Sequence, residues 1–142
     1  MLPPAPTYNE EFRQRGIPDV VKIEAFPLNG ADITVIFESA RVEERRQGVW
    51  LKTDAGIWIE GEMCPSVELW YDTAPEVVSC QCLSADKRLY LYNIWEANSS
   101  RGSLSYGSGM LVEQLPNGRR YRCNDIGFET SFDKLVFRIE QN

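Results

Sequence analysis

The side chains able to do chemistry in this chain are carboxylates, tyrosines, lysines and four cysteines, because it contains no histidine. Histidine is the commonest general base and the commonest metal ligand. Its absence excludes Ser-His-Asp and Cys-His nucleophilic mechanisms. Two glutamates, Glu60 and Glu68, are spaced so that one short loop would set them opposite each other on neighbouring strands. Two opposed acids are the machinery of a glycosidase. In a chain with 21 Asp and Glu such an opposition arises easily by chance, and it equally marks a place that attracts a cation. Cys80 and Cys82 fall on one face of a strand. They lack the C-x-x-C spacing of a zinc knuckle and the geometry of an unstrained disulfide. Four thiols buried in a reducing compartment are therefore expected. The run "GSLSYGSG" lacks the Gly-Lys-Ser/Thr that cradles phosphate. No catalytic residue, metal or cofactor is assigned, and the chain reads as a non-enzyme.

Residues 49–72 carry the strongest pattern. Strand side chains alternate between faces. The odd positions Val49, Leu51, Thr53, Ile57, Ile59, Gly61, Met63, Val67, Leu69 and Tyr71 make a core face. The even positions Trp50, Lys52, Trp58, Glu60, Glu62, Glu68, Trp70 and Asp72 make a charged face with three tryptophans. Three-residue loops at 54–56 and 63–65 preserve that assignment across the turns. They set Lys52 opposite Trp58, Trp50 opposite Glu60, Glu60 opposite Glu68, and Trp58 opposite Trp70. Large exposed apolar patches are uncommon in monomers, so either another segment covers this face or it is a recognition surface. Flat aromatic rings beside carboxylates also suit a sugar ring.

A second candidate is the run "NIWEANSSRGSLSYGSGM". The strand "RLYLYNIW" is apolar on both faces, which predicts a central strand. Residues 98–102 form a turn cluster, and residues 103–108 could make a further strand. As a ligand loop over 96–109 this segment would offer Arg101 and Tyr106. Further on, "NGRRYRCND" places Arg120 and Arg122 outward, opposite in facing to Tyr121 and Cys123. They serve either as ion-pair partners for the many glutamates or as an anion-binding spot.

The elements that must position these residues follow from the period. Thr7 and Glu10 have capping-box spacing, Arg13 and Arg15 suit a last helical turn, and Gly16 with Pro18 stops it. A short helix is expected over 8–15. From there on the period is two. "DVVKIEAF" and "ADITVIFE" flank an Asn29-Gly30 turn signal, and "RVEERRQ" reads as a protected edge or a loop. "GMLVEQL" and "RRYRCND" flank Pro116-Asn117-Gly118, and "KLVFRIE" closes the chain. Short strands with turn residues between them predict an all-β fold, an antiparallel β-sandwich or open barrel with one short N-terminal helix. The division is an arm and helix over 1–18 and a single β domain over 19–142.

The chain of 142 residues is 43% hydrophobic with net charge -6, enough apolar content for one packed core. An acidic chain repels phosphate backbones, so nucleic acid is not an expected partner, and steering would favour a basic one. The start of the sequence has no signal-peptide pattern. No run is apolar enough for a membrane helix, and a cytoplasmic location without membrane contact is expected.

The tail "YRCNDIGFETSFDKLVFRIE" resembles the ending of some bacterial β-sandwich domains that close on a "D-x-D-F-x-D-L-V-F" strand. In those domains the closely spaced aspartates can be associated with calcium. Here Lys134 stands where an acid would, and Thr130 and Ser131 replace others, leaving Asn124, Asp125, Glu129 and Asp133 as oxygen donors. The resemblance covers about a dozen residues and bears on the fold. The functional expectation is a non-enzymatic binding protein. It would recognise a protein partner or small ligand through Trp50, Lys52, Trp58, Glu60, Glu68 and Trp70, or through Arg101 and Tyr106. A homodimer is a further possible assembly. The alternatives are a carbohydrate-binding module and, second, a glycosidase-like enzyme built on carboxylates.

Overall fold

The computed structural model describes residues 2–141. It contains β1 (Thr7–Tyr8), α1 (Glu10–Gln14), β2 (Val21–Pro27), β3 (Asp32–Ala40), β4 (Arg46–Ile59) and β5 (Glu62–Trp70), followed by β6 (Val77–Cys82), β7 (Arg88–Ala97), β8 (Ser100–Ser103), β9 (Gly109–Leu115), β10 (Gly118–Asn124) and β11 (Leu135–Gln141). Among the described residues no helix is long and apolar enough to cross a membrane.

The helix is shorter than expected and is capped by a different residue. The Asn9 side-chain oxygen accepts the Phe12 amide at 2.8 Å, the geometry of an N-cap. Thr7 instead donates to the Pro4 carbonyl and pairs with Ile23, so no Thr7–Glu10 capping box forms. Glu10 and Glu11 in the first turn and Arg13 in the last suit the helix dipole. Five residues are too few to be helical alone. What holds them is Phe12, buried with Val20 and Phe132 in a small apolar cluster outside the main core.

The strands pair in the order β1-β2-β9-β10-β11-β3-β6-β4-β7-β8, and a ladder between β2 and β7 closes the ring. The closed unit is an eight-stranded antiparallel barrel of β2, β9, β10, β11, β3, β6, β4 and β7, not a sandwich. Alternation is the same in both architectures. The difference lies in non-local pairs such as Glu24 with Leu91 and Ala25 with Tyr90, which remove the sheet edges that a sandwich keeps. The Asn29-Gly30 turn exists, but the strands it joins are not neighbours. β2 ladders with β1, β7 and β9, and β3 with β6 and β11. The Pro116-Asn117 hairpin between β9 and β10 forms as expected, with Leu115 opposite Gly118.

The expected loop at 54–56 is not a hairpin. Residues 46–59 form one strand, and 53–56 are an irregularity within it. Thr53 Oγ1 ties it internally, donating to the Gly56 carbonyl and accepting the Gly56 amide, both at 2.9 Å. Gly56 has φ +106, which a side chain rarely tolerates. Cys64 and Pro65 lie inside β5. The turn falls at Glu60 and Gly61, both at positive φ, as a two-residue hairpin of the primed type requires. One edge of β4 carries β7 along 46–52 and then β6 at 57–58, while β5 follows the other edge.

The barrel interior is filled by side chains, including Phe26, Val35, Val49, Leu51, Leu89, Leu91, Met110 and Ile139. Tyr121 stacks on Phe137 at 5.1 Å. Burying a side chain of this size stabilises by about 2–3 kcal/mol. A packed interior leaves recognition to the outer wall and the rims.

Candidate functional site

The outer wall formed by β4, β5 and β7 gathers part of the expected face. Trp50 and Tyr92 are cross-strand neighbours and stack at 4.5 Å with 17° between planes. Glu68 lies opposite Trp50 on the other side. Arg101 on β8 reaches over the Tyr92 ring and pairs with Glu68 at 2.6 Å. The Trp50–Tyr92 stack therefore lies beneath an Arg101–Glu68 ion pair of this same chain. Trp70 lies opposite Gly48 and is buried. A Cβ on Gly48 would sit 2.8 Å from the indole, so the glycine makes room for the ring. Arg46 covers Trp70 at 4.4 Å and pairs with Asp72 and Glu96. Lys52 is half-buried on this wall, opposite Ser66 and Tyr90.

The continuous β4 corrects the expected cross-strand pairs. Trp58 faces Met63 and Gln81 rather than Trp70 or Lys52. Trp50 does not oppose Glu60, and Glu60 does not oppose Glu68, because Glu60 is in the turn while Glu68 lies well along β5 and is bound to Arg101. No opposed pair of acids exists here for glycoside chemistry. The alternation itself holds along β4, with Val49, Leu51 and Ile57 buried and Trp58 outside. The register shift opposite residues 53–56 breaks it in β5, so Met63 faces out although its odd number predicted the core. Tyr71, past the end of β5, is exposed as well.

The far end of the β4–β5 hairpin is open. Trp58 is 44% exposed and Met63, its cross-strand partner, 45%. Beside Trp58 lies a shallow groove of about 350 Å³ lined by Asp32, Ile33, Glu60, Ser79, Cys80 and Gln81. No lysine or arginine lines it. An exposed indole beside two carboxylates is a place for a cation or for a polar ring.

The Gly/Ser segment is held closed. Asn98 and Ser99, both at positive φ, turn β7 into β8, and the strand spans 100–103 rather than 103–108. Beyond it, side-chain amides bind three consecutive carbonyls. Asn9 Nδ2 donates to those of Tyr106 and Ser108, and Asn124 Nδ2 donates to that of Gly107. Tyr106 projects from this clamp, 74% exposed, with Lys22 5.9 Å from its ring. Arg101 and Tyr106 do not meet at one ligand site, because Arg101 belongs to the Trp50 wall.

Several charged groups are tied up internally, among them Arg120 and Arg122, which alternation had placed outward as partners for glutamates. Glu24 is buried in the barrel, and its Oε2 accepts from Arg119 at 2.9 Å and from the Tyr121 hydroxyl at 3.0 Å. Burial, and then the Glu24 charge beside it, push the Tyr121 pKa well above its ordinary value. Asp125 accepts from Arg45, Gln47 and the Ile126 amide. Lys134 is buried, with its ammonium 2.8 Å from Glu129 and 3.8 Å from Glu44. The hydrogen bond to Glu129 raises its pKa. That ammonium brings a fixed positive charge among the oxygen donors of the tail. Arg120 and Arg138 both donate to Glu38, and Arg120 and Arg122 reach Glu113. Burial works to raise the Glu38 pKa, but these hydrogen bonds outweigh it and hold it low. Two Ser-x-x-Lys spacings carry no serine–lysine dyad. Ser84 donates to Asp86 and Ser131 to Asp133, while Lys134 stays bound to Glu129. The hydrogen bond to Cys80 and burial push the Cys82 thiol up.

No protein-family model, curated protein or solved structure matches the chain.

Proposed function

We propose that this chain is a non-enzymatic binding protein that takes a basic segment of a protein partner at the tip of the β4–β5 hairpin. The observation that carries the reading is the Trp58 groove, an exposed indole flanked by the carboxylates of Asp32 and Glu60 with no positive side chain lining it. Elsewhere on the same wall the equivalent chemistry is already satisfied. Arg101 lies over Tyr92 and binds Glu68, and Arg46 lies over Trp70 and binds Asp72. An aromatic ring beside a carboxylate, with an arginine seated on both, occurs twice on this wall. At Trp58 the ring and the acids are present and the cation is missing. A lysine or arginine of a partner would complete it, and cation–π contacts of this kind contribute about 0.5–2 kcal/mol. The net charge of -6 adds long-range attraction for a basic surface.

The competing reading is a sugar ring stacked on Trp58, with Asp32, Glu60 and Gln81 answering hydroxyls. Titration with lysine- and arginine-rich peptides, with glutamate-substituted peptides and a glycan array beside them, separates the two. Binding of the basic peptides, weakened about tenfold by Trp58→Ala and by Asp32→Asn combined with Glu60→Gln, supports the proposal. Glycan binding lost in Trp58→Ala transfers the site to carbohydrate. Indifference of peptide binding to all three substitutions overturns it.

A further inference from the structure

The tip of the β4–β5 hairpin presents an acidic, aromatic groove. The neighbouring strand adds how a partner would lie. β5 ladders only with β4, and among the described residues its other edge has no strand partner. Beneath that edge runs a groove of about 440 Å³ between β5 and residues 73–78. Val67, Leu69 and Val78 make its apolar floor, and Glu60, Glu62 and Glu68 are its only charged lining residues. Glu68 is bound to Arg101, while Glu60 and Glu62 make no ion pair among the described residues.

An unpaired strand edge is a template for another strand unless something protects it. Here the protection is selective. Pro65 removes one donor in the middle of β5. If a second copy paired antiparallel about Pro65, Glu62 would oppose Glu68 on both sides of the centre, and like charges directly opposite destabilise a sheet. The edge thus resists its own copy and favours a positively charged strand.

Resting on the function proposed above, we infer that β5 is a strand-addition site. An extended partner segment lies along the free edge over 66–69, placing every second, apolar side chain on Val67 and Leu69, with a basic residue beyond them toward Glu60 and Glu62. The strand period puts every second side chain of the added segment into the groove, so main-chain bonds give affinity and the alternation gives selectivity.

The test uses the full chain with a short blocked peptide of alternating lysine and valine. Two N-methylated versions are compared, one methylated at the lysines and one at the valines. In an added strand only one of these sets of amides points at β5. One methylated peptide should lose at least about tenfold in affinity while the other binds almost as the parent does. Amide exchange within 66–69 should slow on binding, and Glu62→Lys, an exposed substitution that leaves the core intact, should weaken binding at least about fivefold. If both methylated peptides bind alike and no β5 amide is protected while Trp58→Ala still abolishes binding, the inference fails and the tip-binding proposal survives. If no basic peptide binds, both fall. A concentration-dependent dimer that protects the same β5 amides would assign the edge to a second copy and also overturn the inference.

Discussion

Asn9 joins two distant parts of the chain, and its removal has a computable cost. The side chain is 1% exposed. Its oxygen caps α1 through the Phe12 amide, and its nitrogen holds the Tyr106 and Ser108 carbonyls at 2.8 Å each. Truncating an N-cap to alanine costs about 1 kcal/mol. A buried acceptor that loses its donor costs about 1–3 kcal/mol, and only the Ser108 bond is fully buried, so the two carbonyls together come to about 2–3 kcal/mol. Asn9→Ala should therefore destabilise by about 3–4 kcal/mol, which for a domain of this size lowers Tm by about 8–15 °C. Asn9→Ser separates the contributions, because a serine oxygen can still cap while the donating amide is gone. It should lose about 2–3 kcal/mol and keep the helix. Thermal and denaturant unfolding measure the totals, and amide exchange over 104–109 reports whether the segment has opened. If Asn9→Ser unfolds like the parent and Asn9→Ala loses only about 1 kcal/mol, the clamp contributes nothing and the segment is held by other means.

Three further outcomes follow from the same geometry. Gly48→Ala places a Cβ 2.6 Å from the Leu69 carbonyl and 2.8 Å from the Trp70 ring, so it should destabilise by about 1–3 kcal/mol, read as a lower urea midpoint with a red-shifted Trp70 emission. Arg101→Ala unroofs the Trp50–Tyr92 stack, so acrylamide quenching should rise while stability changes by less than about 1 kcal/mol, since the Arg101–Glu68 pair is partly exposed. At alkaline pH stability should fall, because Tyr121 and Lys134 both have folded pKa values raised above their unfolded ones. Their contribution is complete below about pH 10, where the unfolded groups begin to lose protons, and it disappears as pH rises toward the folded values. Unfolding free energies measured between pH 8 and 11 that stay flat would refute it.

Alternation along the chain was sufficient to place the β4 core positions Val49, Leu51 and Ile57, the outward tryptophans Trp50 and Trp58, the inward Tyr121 and Cys123, and the central character of β7. Each of these depends only on the period of two and on which residues water rejects. The short helix was legible for the same local reason, although its cap was not. Thr7 and Asn9 both have capping side chains, and it is the β1–β2 pairing that takes Thr7 away. Turn placement was less secure. Asp54-Ala55-Gly56 and Cys64-Pro65 contain turn residues, yet both sit within strands, because β7 and β6 on one edge of β4 and β5 on the other hold the chain extended.

Local composition thus determined an all-β chain without histidine chemistry, with a charged outer wall rich in tryptophan. Only tertiary pairing decided that the sheet closes into a barrel, that Trp70 is buried over Gly48, and that arginines of the same chain cover two of the aromatic positions and leave Trp58 open. The physical reason is sequence distance. A period of two reports which side of a strand faces water, but not which of eleven strands lies alongside it, and both the closure and the ion pairs over the tryptophan wall join residues far apart in the chain.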